Sequence, residues 1–194
     1  MIHRTLHSLK KLPSRVRTRL SHHLISPRAI ASQLKLEEGD TVLELGSPIG
    51  FFTSVLLEEV GRPGRVIVAG PNQASFDRIG HLVSKTNVET VLLADVLLGR
   101  AFEHHSVDLV LLTNLLSSSM HPDHFCMSLN YFLRPGARIV LVDWEGAQPA
   151  GPDPKRRISK EQAVNMLSAC GWTFESVLKT PGYHYGLVFR LKAR

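Results

Sequence analysis

Thr41 to Gly50 reads TVLELGSPIG, and Phe51 to Gly61 continues it as FFTSVLLEEVG. Thr41 to Leu45 is short and mostly apolar, the pattern of a strand buried on both faces of a parallel sheet. It carries one carboxylate, Glu44, and runs into a glycine-bounded turn, Gly46 to Gly50. Phe51 to Val60 has apolar residues at helical spacing and stops at Gly61, with Pro63 just beyond. Strand, glycine turn, helix is the geometry that lets a ligand reach bare backbone amides at a helix N-terminus. The turn is therefore expected to carry a small polar cofactor.

Outward from this unit the pattern alternates. Arg65 to Ala69 reads as a second strand, and Asn72 to Val83 as a helix with Phe76, Ile79 and Leu82 on one face. Val88 to Leu93 and Val107 to Leu112 read as the third and fourth strands. A helix opening near Pro122 carries Phe125, Leu129 and Phe132 and ends before Pro135-Gly136. Ala137 to Asp143 is the fifth strand, and Ser159 with Gln162 forms a capping box for a last helix that stops at Gly171. Phe174 to Lys179 and Tyr183 to Leu191 flank Thr180-Pro181-Gly182 as an antiparallel hairpin. Strands alternating with helices predict an α/β fold, a parallel sheet between two helical layers, which the hairpin turns into a mostly parallel sheet of seven strands. Ligands of such sheets bind beyond the C-terminal strand ends, at the switch point beside the first strand.

Charge divides the chain. Eight basic residues (Arg4, Lys10, Lys11, Arg15, Arg17, Arg19, Arg28 and Lys35) precede the first acid, Glu37, and removing them from the net +6 leaves −2 for the rest. The division predicts a basic helical segment over 1–35 and a nearly neutral domain over 36–194, with no strong nucleic-acid signal in the domain. In the segment Leu6, Leu9, Leu12, Val16, Leu20 and Leu24 form an apolar stripe, which Pro13 splits into two helices. Three readings fit it: helices packed on the domain, a basic amphipathic surface for an anionic membrane or nucleic acid, and an organellar transit peptide. The second would give peripheral membrane contact. No apolar run approaches the roughly 18–20 residues of a membrane-crossing helix. Cys126 and Cys170 match no zinc or CxxC pattern and read as small buried hydrophobes in a reducing compartment, consistent with a cytoplasmic location.

Four pieces, VLELGSPIG with its helix, LLADV, SVDLVLLTNLL, and FLRPGARIVLVDW with the terminal hairpin, resemble the class I S-adenosylmethionine-dependent methyltransferases. The likeness is to the small-molecule type, similar to quinone-biosynthesis methyltransferases, and spans roughly Leu36 to Lys192. It implies the three-layer Rossmann-like methyltransferase fold and S-adenosylmethionine as cofactor. Glu44, Gly46 and Gly50 match the family's acid and glycine turn. The resemblance gives Glu44 the cofactor's amino group and lets the methionine portion approach over Gly46, Ser47 and Gly50. It gives Asp95 the adenine amine, with backbone contacts from Val96, and sets Asn114 where methyl donor meets acceptor, with Asp143 on the same rim. Helix or loop caps are the structural alternatives for Asp95, Asn114 and Asp143.

Two positions depart from the family. Pro48 replaces the middle glycine of the turn, and Gly70 stands where the family has an acid for the ribose hydroxyls, with Asn72 or Gln73 as neutral substitutes. Hydrogen bonds to a charged group are worth about 1.5–3 kcal/mol each, so the loss of two predicts weaker binding, which Gly70→Asp would restore.

Methyl transfer from a sulfonium needs alignment first, and a base only if the acceptor must lose a proton. Asn114 and His184 are the catalytic candidates, with His121 and His124 as further histidines near the rim. Arg156 and Arg157 could meet an acidic substrate or lie in solvent. TNLL after the fourth strand lacks the Asn/Asp-Pro-Pro-aromatic motif of base-amine methylation, no GxGxxG marks a dinucleotide site, and no metal site is expected. A small or lipid-like acceptor remains. Two classes compete: an active methyltransferase, and a methyltransferase-like binding or scaffold module. A cleft filled by Pro48 or Phe51, or a Glu44 carboxylate held by a neighbouring side chain, counts against the enzyme.

Overall fold

The computed structural model describes residues 25–46, 48–84, 87–116, 122–146, 151–180 and 183–192. Residues 1–24, Ser47, His121 and Pro181-Gly182 lie outside them, and with these most of the basic N-terminal segment.

The elements in chain order are α1 (Pro27–Ala31), β1 (Thr41–Gly46), α2 (Thr53–Val60), β2 (Arg65–Gly70), a 3-10 segment (Gln73–Ile79) leading into α3 (Gly80–Val83), and β3 (Val88–Leu92). There follow α4 (Leu93–Leu97), β4 (Val107–Thr113), α5 (Pro122–Phe132), β5 (Leu133–Trp144), a 3-10 turn (Pro154–Arg156), α6 (Lys160–Ala169), β6 (Trp172–Leu178) and β7 (His184–Leu191). The seven strands run in the order β3-β2-β1-β4-β5-β7-β6. All pairings from β3 to β5 are parallel, and β7 runs antiparallel to both β5 and β6. This is the expected mixed sheet, and β1 and β4 meet at its switch point.

Leu43, Leu45, Val110, Leu112, Ile139 and Leu141 face α5 and α6, while Val42, Val66, Val68, Leu109 and Leu111 face α1 and α2. Central strands apolar on both faces have no stable place except between two helical layers, which explains the near-continuous apolar runs. Ile25, Ile30 and Leu34 join the α1–α2 layer, so the described end of the N-terminal segment is part of this core.

Local chemistry accounts for the differences from the expected elements. Residues 73–79 form a 3-10 rather than an α-helix; Asn72 caps the Ser75 amide at 3.1 Å, and the Ser75 hydroxyl turns back onto the Asn72 carbonyl. Both bonds close a tight first turn. β5 starts four residues early because Leu133 pairs with Val107, and regular pairing resumes at Leu109 with Arg138, the shift spanning Pro135 and Gly136. Proline has no ladder donor, and Gly136 takes φ 78°, so an irregularity is the available solution. α6 carries the full capping box between Ser159 and Gln162.

The cysteine expectation is corrected. Cys126 of α5 and Cys170 at the C-terminus of α6 form a disulfide, with Cα atoms 5.7 Å apart. The two lie 44 residues apart in sequence, and only the packing of α5 beside α6 brings them together. Among the described residues no helix is long and apolar enough to cross a membrane.

Candidate functional site

A cleft of about 520 Å³ opens beyond the C-terminal ends of β1, β2 and β4. Leu45, Ile49, Ala69, Leu93 and Leu115 form its apolar wall, Pro48 and Pro71 its lip, and Gly46, Ser75, Arg78 and Asn114 its polar points. Pro48 walls the cleft without plugging it. Among the described residues, no group of three or more His, Cys, Asp or Glu side chains is placed to hold a metal ion.

Gly46 has φ 128°, and a Cβ there would strike the carbonyl and hydroxyl of Thr113 on the neighbouring strand. Only glycine permits this approach of β1 to β4 at the cleft floor. Asn114 adopts a left-handed conformation, φ 52°, and donates its amide to the Val142 carbonyl at 2.9 Å. Asparagine is among the few residues that take this geometry readily. It turns the chain out of β4 at the cleft mouth.

Glu44 lies beneath the turn, 2% exposed. Its carboxylate accepts the Phe52 amide at 3.0 Å and the Thr53 hydroxyl at 2.6 Å, with the Phe51 amide as a further donor. Burial outweighs these bonds and raises its pKa from 4.5 to about 7. The Phe51 and Phe52 amides therefore point inward to Glu44. Phe51 and Phe52 pack edge to face at the start of α2, ring centroids 5.4 Å apart.

The other sequence-assigned residues divide. Gly50 lies against Ile79, where a Cβ would collide with the isoleucine methyl. Gly70 abuts Phe76 and Ser75: its missing Cβ would sit 2.7 Å from the phenylalanine ring and closer still to the serine hydroxyl. Asn72 caps the 3-10 segment. Asp95 belongs to the first turn of α4 and pairs with Arg100 at 3.3 Å, while Val96 is buried in the core. Neither lines the cleft.

His184, 3% exposed, stacks on Trp144 with ring centroids 4.1 Å apart. It opens β7 opposite Trp144 and is not brought to the cleft. His124 is exposed on α5. Asp143, 2% exposed, accepts the Trp144 amide at 2.7 Å and the Leu116 amide at 2.9 Å; burial raises its pKa to about 6. It thereby latches the exit of β4 to the end of β5.

Sequence reasoning missed two positions, Thr53 and Arg78. Thr53 supplies the hydroxyl under Glu44, and its place in the first turn of α2 was a readable signal. Arg78 reaches the cleft from a segment whose path depends on tertiary packing. Arg157, which the sequence offers as a substrate contact or a solvated charge, donates from its guanidinium to the carbonyls of Glu145, Gly146 and Pro152 and lies over the Trp144 ring. It ties the end of β5 to Pro152.

No family model matches the chain, and a comparison with curated proteins yields no match. Solved structures do match. A SAM-dependent methyltransferase from Aquifex aeolicus superposes with a TM-score of 0.80 at 22% identity, covering 93% of this chain and 100% of that one. The 1,6-didemethyltoxoflavin-N1-methyltransferase of Burkholderia thailandensis, with S-adenosylhomocysteine bound, gives 0.62 at 16% identity over 86% and 77%. Geranyl diphosphate methyltransferase in complex with SAM gives 0.66 at 13% identity over 85% and 84%. The chain has the fold of the class I S-adenosylmethionine-dependent methyltransferases.

Proposed function

We propose that the cleft binds S-adenosylmethionine and that the chain transfers its methyl group to a small-molecule acceptor. The observation that carries this reading is an open cleft of about 520 Å³ at the switch point of a methyltransferase sheet, floored by a glycine pinned against Thr113 and rimmed by Asn114. When bound, the cofactor supplies a methyl group on a sulfonium. Gly46 lets it approach the backbone, and Leu45, Ala69, Leu93 and Leu115 exclude water from it. Asn114 turns the chain at the mouth where an acceptor enters, and Asp143 fixes that turn through Leu116. Glu44 acts by holding the turn rather than by touching the ligand. Neighbours named for toxoflavin and geranyl diphosphate methylation support a small acceptor, the second of them a lipid-like one.

A second reading, a binding or scaffold module without catalysis, is favoured by two observations: the Thr53 side chain holds the Glu44 carboxylate, the condition set against the enzyme, and Arg100 pairs with Asp95. Calorimetry of the full chain with S-adenosylmethionine and S-adenosylhomocysteine separates the cases. Saturable binding, weakened by Asn114→Leu, is expected. Release of S-adenosylhomocysteine with a panel of phenols and isoprenoid acceptors marks the enzyme; binding without turnover marks the module. No heat at millimolar ligand, from protein shown to be folded, overturns the methyl-transfer reading and leaves a scaffold that binds no cofactor.

A further inference from the structure

Among the described residues lining the cleft, Arg78 is the only charged one. It is exposed on the 3-10 segment after β2, and none of the ion pairs among the described residues includes it. Asp77 beside it is exposed and does not line the cleft. A guanidinium at the mouth of an otherwise uncharged, largely apolar cavity is a matched receptor for a planar-bodied anion. Its fork of donors fits a phosphate in bidentate fashion, beside the apolar wall of the cleft.

The end of β2 explains why the sign of the rim is positive. Phe76 and Ser75 close over Gly70, so a side chain there, a carboxylate included, would have to displace them. The segment that excludes it delivers Arg78 to the same edge. In nucleotide-binding α/β sheets an acid at this edge takes ribose hydroxyls, whereas an arginine nearby accommodates a phosphate on the ribose. The apolar wall of Ala69, Pro71, Leu93 and Leu115 offers a surface for a base.

The geometry points to a phosphorylated nucleoside as a ligand of this cleft, its base on the apolar wall and its phosphate on Arg78. This goes beyond the methyl-transfer reading and does not rest on it; such a nucleotide would compete with S-adenosylmethionine for the same volume.

Calorimetric titration of the full chain with adenosine, its 2′-, 3′- and 5′-monophosphates and inorganic phosphate tests it. At least one monophosphate is expected to bind roughly tenfold or more tighter than adenosine. That ratio should fall to about twofold or less in Arg78→Gln and be partly retained in Arg78→Lys. Added salt should weaken the monophosphate and leave adenosine unchanged. Equal binding of adenosine and all its monophosphates overturns the inference, as do a ratio that survives Arg78→Gln and inorganic phosphate binding as tightly as the nucleotide. S-adenosylmethionine binding without any phosphate preference overturns this inference and leaves the methyl-transfer reading standing. Nucleotide binding without S-adenosylmethionine binding does the reverse.

Discussion

Glu44→Gln isolates the ionisable group beneath the cleft. The carboxylate is 2% exposed and held by Phe52 and Thr53, yet burial lifts its pKa from 4.5 to about 7. A folded-state value above the unfolded one means that the native protein binds this proton more tightly. The contribution to stability is therefore full below about pH 4.5 and is lost as pH rises through about 7. At about 1.4 kcal/mol per pKa unit, the window is worth about 3 kcal/mol. Glutamine keeps the shape: its carbonyl accepts from the Phe52 amide, its amide donates to the Thr53 oxygen, and nothing ionises. Asp143, raised to about 6, adds a similar slope, but it is present in both proteins and cancels in the difference. Urea unfolding from pH 5 to pH 8 is the assay. The glutamine variant should be ahead by about 1 kcal/mol at pH 5 and by about 3 kcal/mol at pH 8, so the gap widens by about 2 kcal/mol across the range. A difference that stays constant across the range would refute the reasoning. It would mean that Glu44 titrates as a solvated carboxylate, open to a ligand.

Thr53→Val removes the hydroxyl donor from the Glu44 carboxylate and should cost about 1.5–3 kcal/mol at pH 8 and less at pH 5, read by the same unfolding assay. Gly70→Asp, which the sequence alone recommends as a gain in cofactor binding, drives a Cβ into Ser75 and Phe76; a loss of about 1–3 kcal/mol is expected, and an unchanged thermal midpoint would contradict the packing. Cys126→Ser opens the 44-residue link to Cys170 and should destabilise by about 4 kcal/mol on the chain-entropy relation. Reductant should produce the same loss in the wild type and none in the variant.

The sheet was legible from the chain because period-2 and continuous apolar runs, glycine stops and the Ser159–Gln162 box are local signals, and local signals survive into the fold. The antiparallel hairpin and the cleft's place beyond β1 were likewise consequences of strand order along the sequence. What each polar side chain touches was not. Glu44 reads in sequence as an acid at a strand end, and only the structure sets the Phe52 amide and the Thr53 hydroxyl against its carboxylate. Asp95 was placed correctly along the chain, but a short helix turns it to Arg100. Gly70 read as a lost acid, yet the cause lies six residues on, in a phenylalanine ring that the 3-10 segment folds over it. The cysteine pair exists only because α5 and α6 pack side by side. Hydrophobic period depends on residues three or four apart, and one sequence contains it. Hydrogen-bond partners and cavity linings depend on atoms brought together across the sheet, and these the packing alone fixes.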